Sequence, residues 1–310
     1  MATAAGQHST AHRSVTAGIS WMLASCAFLS AVAVFGRQAS LEGVPVFQIV
    51  LLRLVFAAVA MAPMVAVRGP GMVRTPHLRL YLVRVAVGFV GMTIWFAALS
   101  LTTVGEVQAI GFLTPLFATI GAGLILHETI GWRRWTAILV GFAGAMVILR
   151  PGAAGASLGT WVAVAAAVGM AASSLFIKQL ADRDHPDSVV LITTLLQIPV
   201  ALVPGLLVWQ PLSLELWAVF LAMGACGMLG HIMLARAFRA ADASIVMGVD
   251  FARLPFTVLF GWIAFGELID LWTWIGAGII FAAAFYTARR EGRLARARDR
   301  ARASVTERAG

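Results

Sequence analysis

The sequence predicts an all-α integral membrane protein with ten transmembrane helices, arranged as two inverted five-helix repeats with both termini cytoplasmic. Three observations carry that expectation. Apolar runs of spanning length recur along the chain, basic residues favour alternate connections, and the first half matches the second at an offset of about 140 residues.

Of 310 residues, 60% are hydrophobic and 12% charged, against roughly 25% charged in a soluble domain. Each apolar run is near the ~20 residues a helix needs to cross a bilayer. The expected spans are 15–36, 44–67, 79–99, 105–126, 132–149, 158–180, 188–208, 213–236, 243–265 and 270–288. The first is too long for the apolar part of a cleaved signal and more spans follow, so it reads as a retained helix. The connections are short and leave no room for a soluble domain; RGPG (68–71) and RPGAAGAS (150–157) carry turn chemistry. The organisation expected is a cytoplasmic segment 1–14, a repeat 15–149, a linker 150–157, a second repeat 158–288 and a basic cytoplasmic tail 289–310.

Basic residues in short loops set orientation. With the N-terminus inside, ten basic residues fall on cytoplasmic connections before the tail, and only Arg37 and Arg150 lie outside. Arg53, Arg84 and Arg253 fall within spans. The tail adds eight more next to the last span, where anionic lipid headgroups attract them. It has no interleaved aromatics to stack bases, so the formal charge of +9 does not signal nucleic acid. Cys26 and Cys226 lie in apolar runs and suggest neither a disulfide nor a metal site. HET (127–129) lacks a second histidine, no phosphate-binding glycine loop appears, and no nucleophile–base constellation stands out. No cofactor is expected, and an enzyme is disfavoured.

The halves align through FGRQ (35–38) with FIKQ (176–179), Pro45 and Pro63 with Pro186 and Pro204, and Gly88 and Gly91 with Gly227 and Gly230. Pro115 aligns with Pro255, Glu128 with Glu267, and RWTAILVGFAGAMVILR (134–150) with TWIGAGIIFAAAFYTAR (273–289). Five spans per half is an odd number, so the second half inserts upside down. Such inverted repeats are a signature of secondary transporters, because two like halves that exchange conformations turn an outward cavity into an inward one. A channel would explain the symmetric prolines less well.

Three stretches carry a family resemblance: QIVLLRLVFAAVAMAP (48–63), LTPLFATIGAGLILHE (113–128) and RLPFTVLFGWIAFGE (253–267). Through them the chain resembles the drug/metabolite transporter superfamily, with two EamA-type repeats. The resemblance implies a central cavity and alternating access, moving metabolites such as amino acids, amines, carboxylates, vitamins or drugs. The motif of the second half is most similar to a branch that includes riboflavin and S-adenosylmethionine carriers. The function expected is secondary active transport of a small polar metabolite across the cytoplasmic membrane. The alternative is import of a larger planar or cofactor-type compound.

Candidate site residues start with MGVDFARLPF (247–256), where Asp250 and Arg253 interrupt an apolar run. A charge at mid-membrane costs about 2.5–3.5 kcal/mol, so such groups face a cavity or a partner. Their i,i+3 spacing allows them to pair. They are either cavity groups or a neutralised structural pair, and the residues leave proton or ion coupling through Asp250 open. Pro255 and its counterpart Pro115 each remove a backbone donor, which can free carbonyls to face a cavity. Arg53 either binds an anionic substrate group or pairs with Asp250 or Glu106. Glu106 also suits the positive N-terminus of the fourth helix. Arg84 is shallow, which predicts snorkelling to the cytoplasmic headgroups.

Gln197 (beside Thr193 and Thr194), His231 and Gln108 are polar candidates for the cavity or for interhelical hydrogen bonds. Trp95, Phe112 and Phe251 would either stack a planar substrate or pack. Trp132, Trp135, Trp209, Trp217 and Trp272 suit an interfacial belt. Glu128 and Glu267 suggest matching gate or capping roles at opposite membrane faces. GFAGA (141–145) and GAGIIFAAA (276–284) allow close helix approach, within the chain or in a homodimer.

Overall fold

The computed structural model describes residues 15–73, 75–125, 132–149, 157–181, 183–184, 186–240, 249–283, 285–286 and 289. The segment 1–14, nearly all of the basic tail, most of the 150–157 linker and Glu128 lie outside these residues. In chain order the helices are α1 Val15–Leu41, α2 Val46–Arg68, α3 Leu78–Leu101, α4 Val104–Gly111, α5 Thr114–Ile125 and α6 Trp132–Leu149. They continue as α7 Leu158–Ala181, α8 Pro186–Leu207, α9 Leu214–Ala240 and α10 Arg253–Phe265. The last apolar helix, α11, is Leu271–Ala283. Short 3₁₀ turns cover Pro70–Val73 and Asp250–Ala252. No strand occurs among the described residues.

Seven stretches are long and apolar enough to cross a membrane: α1, α2, α3, the α4–α5 stretch Val104–Gly121, α7, α8 and α9. At the fifth, ninth and tenth expected spans stand shorter apolar helices, Trp135–Ile148, Arg253–Phe265 and Leu271–Ala283. In hydrocarbon, a helix satisfies its backbone polar groups internally, so uniform apolarity and helicity go together. The outer surfaces carry large exposed apolar side chains, among them Val203, Leu207, Leu221, Trp262 and Ile263, as lipid contact requires.

Hydroxyl and carboxylate caps mark where helices start. The Thr103 side chain accepts from Glu106 N at 3.3 Å, Ser157 Oγ from Thr160 N at 3.1 Å and Asp270 Oδ1 from Thr273 N at 3.0 Å. Gly266, at φ +68°, closes α10, with its N–H donating to Trp262 O; the left-handed conformation suits glycine, which has no Cβ to clash.

Helix pairing follows a two-fold pattern. α1 packs on α9, and α3 on α7; α2 packs on α8. α1 also touches α10, and α7 touches α5. Under the sequence repeat, α1 corresponds to α7, α3 to α9, α2 to α8, and α4–α5 to the segment ending in α10. Each contact therefore maps onto another in the set or onto itself.

Glycines bring two of the crossings close. A Cβ at Gly91 would stand 2.8 Å from the carbonyl carbon of Gly169, joining α3 to α7. A Cβ at Gly144 would stand 2.8 Å from Gly276 O, and one at Gly276 would stand 2.5 Å from Gly144 O. The glycines of the fifth and tenth expected spans thus pack α6 against α11 within one chain.

Candidate substrate site

The fourth expected span is not one continuous helix: α4 ends and α5 begins across Phe112 and Leu113. There Phe112 N donates to Ala109 O at 3.3 Å and Leu113 N to Ile110 O at 2.9 Å, a 3₁₀ tightening just before Pro115. In the second half the 3₁₀ turn Asp250–Ala252 stands in the same relation to Pro255. The break leaves carbonyls that α1 serves. Ser30 Oγ donates to Arg253 O at 3.1 Å, and Thr257 Oγ1 to the same oxygen at 2.8 Å. Cys26 Sγ lies 3.8 Å from both Val249 O and Asp250 O. Side chains of the neighbouring helix thus back the irregular turn, as membrane interiors require.

Asp250 and Arg253 form a direct ion pair through Oδ1 and Nη2, with side chains 22% and 23% exposed. Arg253 Nε is buried with no hydrogen-bond partner. Arg53, on α2, directs Nη1 at the Met92 sulfur and sits 5.8 Å from the Phe96 ring centroid. Among the described residues it pairs with neither Asp250 nor Glu106. A ring face holds a guanidinium by about 0.5–2 kcal/mol, less than a bidentate carboxylate does. Trp95 meets Phe96 edge-on at 4.9 Å. His231, about two-thirds of the way along α9, lies in electrostatic range of both Arg53 and Arg253. Arg53, Arg253 and His231 therefore lie near one another in the bundle, and Asp250, already paired, is the carboxylate beside them.

The other expected residues divide between this space, the core and a second cluster. Phe112 is 8% exposed and belongs to the main core. Gln108 is half-buried on α4, and the Phe251 side chain lies outside the described residues. Gln197 is 6% exposed and sits near Gly88 of α3, where Arg84 also lies. Glu106 is held by the hydroxyls of Thr102 and, at 2.5 Å, Thr160 of α7, so it serves structure at the head of α4. Glu267 pairs with Arg37 at 3.0 Å and accepts from Val104 N at 3.2 Å. Arg37 also donates to Leu99 O at 2.8 Å, tying α1, α3, α4 and the end of α10 together.

Arg84 corrects the expectation of snorkelling. Its guanidinium lies against Gly88, four residues further along α3, and not back towards the helix start where a headgroup would be. Nε and Nη1 are buried without a hydrogen-bond partner. Depth counting missed this residue. The signal in the sequence was the glycine one turn on, which clears the path for a forward-lying arginine.

Interrupted helices with charges at the break, set among apolar helices of spanning length, define the class: this is a membrane transporter. The EamA-like transporter family matches residues 16–150 and again 157–289, and the chain belongs to that family. It is 35% identical over 275 residues to a riboflavin transporter of Vibrio cholerae, covering 87% of this chain and 92% of that protein. It is 27% identical over 269 residues to an S-adenosylmethionine uptake transporter of Rickettsia bellii, covering 87% and 92%. A solved crystal structure shares the fold at a TM-score of 0.59 and 19% identity, over 87% of this chain and 98% of the other.

Proposed function

We propose that the protein carries a neutral, planar, acceptor-rich metabolite of the riboflavin type across the membrane by alternating access. The observation that carries this reading is the charge balance beside the break in the second half. Arg53, Arg253 and His231 lie near one another there, and Asp250 is neutralised by its neighbour. A cationic cargo such as a sulfonium compound would meet donors of its own sign. A flavin ring presents carbonyl and ring-nitrogen acceptors that suit guanidinium donors, and its plane suits the half-buried Trp95 ring, which meets edge-on the buried Phe96 that Arg53 contacts. The 35% identity to a riboflavin transporter over most of both chains supports the same choice. It favours the planar cofactor-type cargo over the small polar metabolite expected from residues alone.

In this reading the helices form two inverted five-helix halves, 15–149 and 158–288, with both termini cytoplasmic. The exchange of α1–α9 for α7–α3 contacts supports that arrangement. Asp250 holds Arg253 in place for the ring, and Pro115 and Pro255 place the breaks on either side of the path.

The test is counterflow in proteoliposomes with labelled riboflavin, S-adenosylmethionine and a panel of amino acids. Saturable exchange of riboflavin and none of the sulfonium compound is expected. Exchange of S-adenosylmethionine or of an amino acid alone would overturn the reading.

A further inference from the structure

Arg84 is a cation in the membrane interior whose Nε and Nη1 have no hydrogen-bond partner among the described residues. A bare interior charge is retained where it serves a function. Its direction is unusual as well. Helical side chains lean towards the N-terminus of their helix, and for Arg84 that is the nearer membrane face. The guanidinium instead lies forward, so that a Cβ at Gly88 would collide with Nη1. The same Cβ would stand 3.1 Å from Gln197 Nε2 and 3.1 Å from Ser173 Oγ. Glycine at 88 is what leaves room for three polar groups from α3, α7 and α8 to meet.

Ser173 and Gln197 are 7% and 6% exposed. Thr193, one turn from Gln197 on the same face of α8, is 5% exposed, and its Oγ1 also lacks a partner. The cluster thus holds, in a buried place, donors that no protein acceptor among the described residues satisfies, and a buried polar group without a partner calls for an explanation. Its position relates it to Arg53. Gly88, Met92 and Phe96 follow one another at i,i+4 along α3, so the two arginines meet the same stripe of that helix. Arg84 reaches it at Gly88 and Arg53 at Met92, about 6 Å apart along the axis.

We propose that Arg84, Ser173, Thr193 and Gln197 form a second pole of the substrate site, which binds an oxygen-rich tail while Arg53 and Arg253 hold the ring. The shared chemistry is an oxygen acceptor, supplied either by chain hydroxyls or by a phosphate. The proposal rests on the flavin reading for the name of the ring, but not for the unmet donors of Arg84 and Thr193.

The experiment measures binding to purified wild type, Arg84→Met and Arg84→Lys by flavin fluorescence quenching. The probes are lumiflavin (ring with a methyl), riboflavin (ring with a hydroxylated chain) and its monophosphate. Thermal unfolding of each ligand-free protein is followed alongside. Arg84→Met is expected to bind lumiflavin as wild type does and riboflavin about tenfold or more weakly, the usual scale for a lost charged hydrogen bond. Arg84→Lys, which keeps the charge without the fork, falls between them. If wild type prefers the monophosphate and the variant loses that preference, the tail is anionic; otherwise the hydroxyls are the acceptors.

Equal losses for ring and tailed ligands, or no loss at all, would overturn the proposal. So would a ligand-free Arg84→Met that melts several degrees below wild type, because that is the mark of a structural arginine. An unpaired binding charge predicts an equal or higher melting temperature on removal. Should wild type bind no flavin, the flavin reading fails, and the melting comparison alone decides for or against a polar subsite at Arg84.

Discussion

The two proline-bearing segments break at equivalent places and fill the break with opposite chemistry. In the first half, Ile110 and Leu113 are each 1% exposed and belong to the main core. In the second, the corresponding positions are Asp250 and Arg253, paired and 22% and 23% exposed. Both breaks are tightened to 3₁₀ bonding before a proline that lacks its N–H. The backbone device is therefore shared between the repeats, while the charged pair at the break is carried by one of them. A two-fold scaffold needs matching hinges to alternate, but a ligand without two-fold symmetry needs an asymmetric lining.

The harshest way to break this comparison is to transplant the charges. Ile110→Asp with Leu113→Arg places an ion pair where the first half has dry core. Desolvating each ion costs several kcal/mol, so folded yield in size-exclusion chromatography is expected to collapse. A monodisperse, transport-competent variant would mean that the first break is as accessible as the second.

Next in size is the loss of one partner. Arg253→Ala leaves Asp250 unpaired and is expected to cost about 2–3 kcal/mol, below the 3–5 for a fully buried pair because the site is partly open. On the proposed function, transport should also fall by more than about tenfold, the scale of a lost charged hydrogen bond to substrate. Asp250→Asn combined with Arg253→Gln should recover the melting temperature but not the transport. Recovery of both would make the pair a structural lock.

The smallest effect sharpens the hinge itself. Pro115→Ala and Pro255→Ala each restore a backbone donor, and each is expected to stabilise the resting protein by about 1 kcal/mol while slowing counterflow. Equal slowing would show that both breaks move. An effect confined to Pro255→Ala would leave Pro115 as a packing feature.

Much of the architecture was legible in the chain because hydrocarbon imposes a one-dimensional rule. Each span must be apolar for its whole length, so α1, α2, α3, α7, α8 and α9 stand close to where hydropathy places them. The Asp250–Arg253 pair was legible for the same reason, since two charges in an apolar run at i,i+3 have few other partners. The break between α4 and α5 was not, because Phe112 and Leu113 are ordinary helix formers and nothing local marks the change. Arg84 was misread outright. Its depth along α3 suggested a route to the headgroups, but its course depends on Ser173 and Gln197, about 90 and 110 residues away in sequence. The glycine-rich stretches posed a choice between internal packing and a dimer, which the approach of Gly144 to Gly276 answers for those residues.

Apolar length, the internal repeat and the charges that interrupt it follow from the order of residues alone, because insertion into a bilayer and backbone satisfaction act segment by segment. Which polar groups face one another does not. That depends on how helices rotate and cross, and rotation is set by side-chain volume between segments far apart in the chain. Only the packed bundle brought Arg53 to Phe96, sealed Glu106 with Thr160 and turned Arg84 inward beside Gly88.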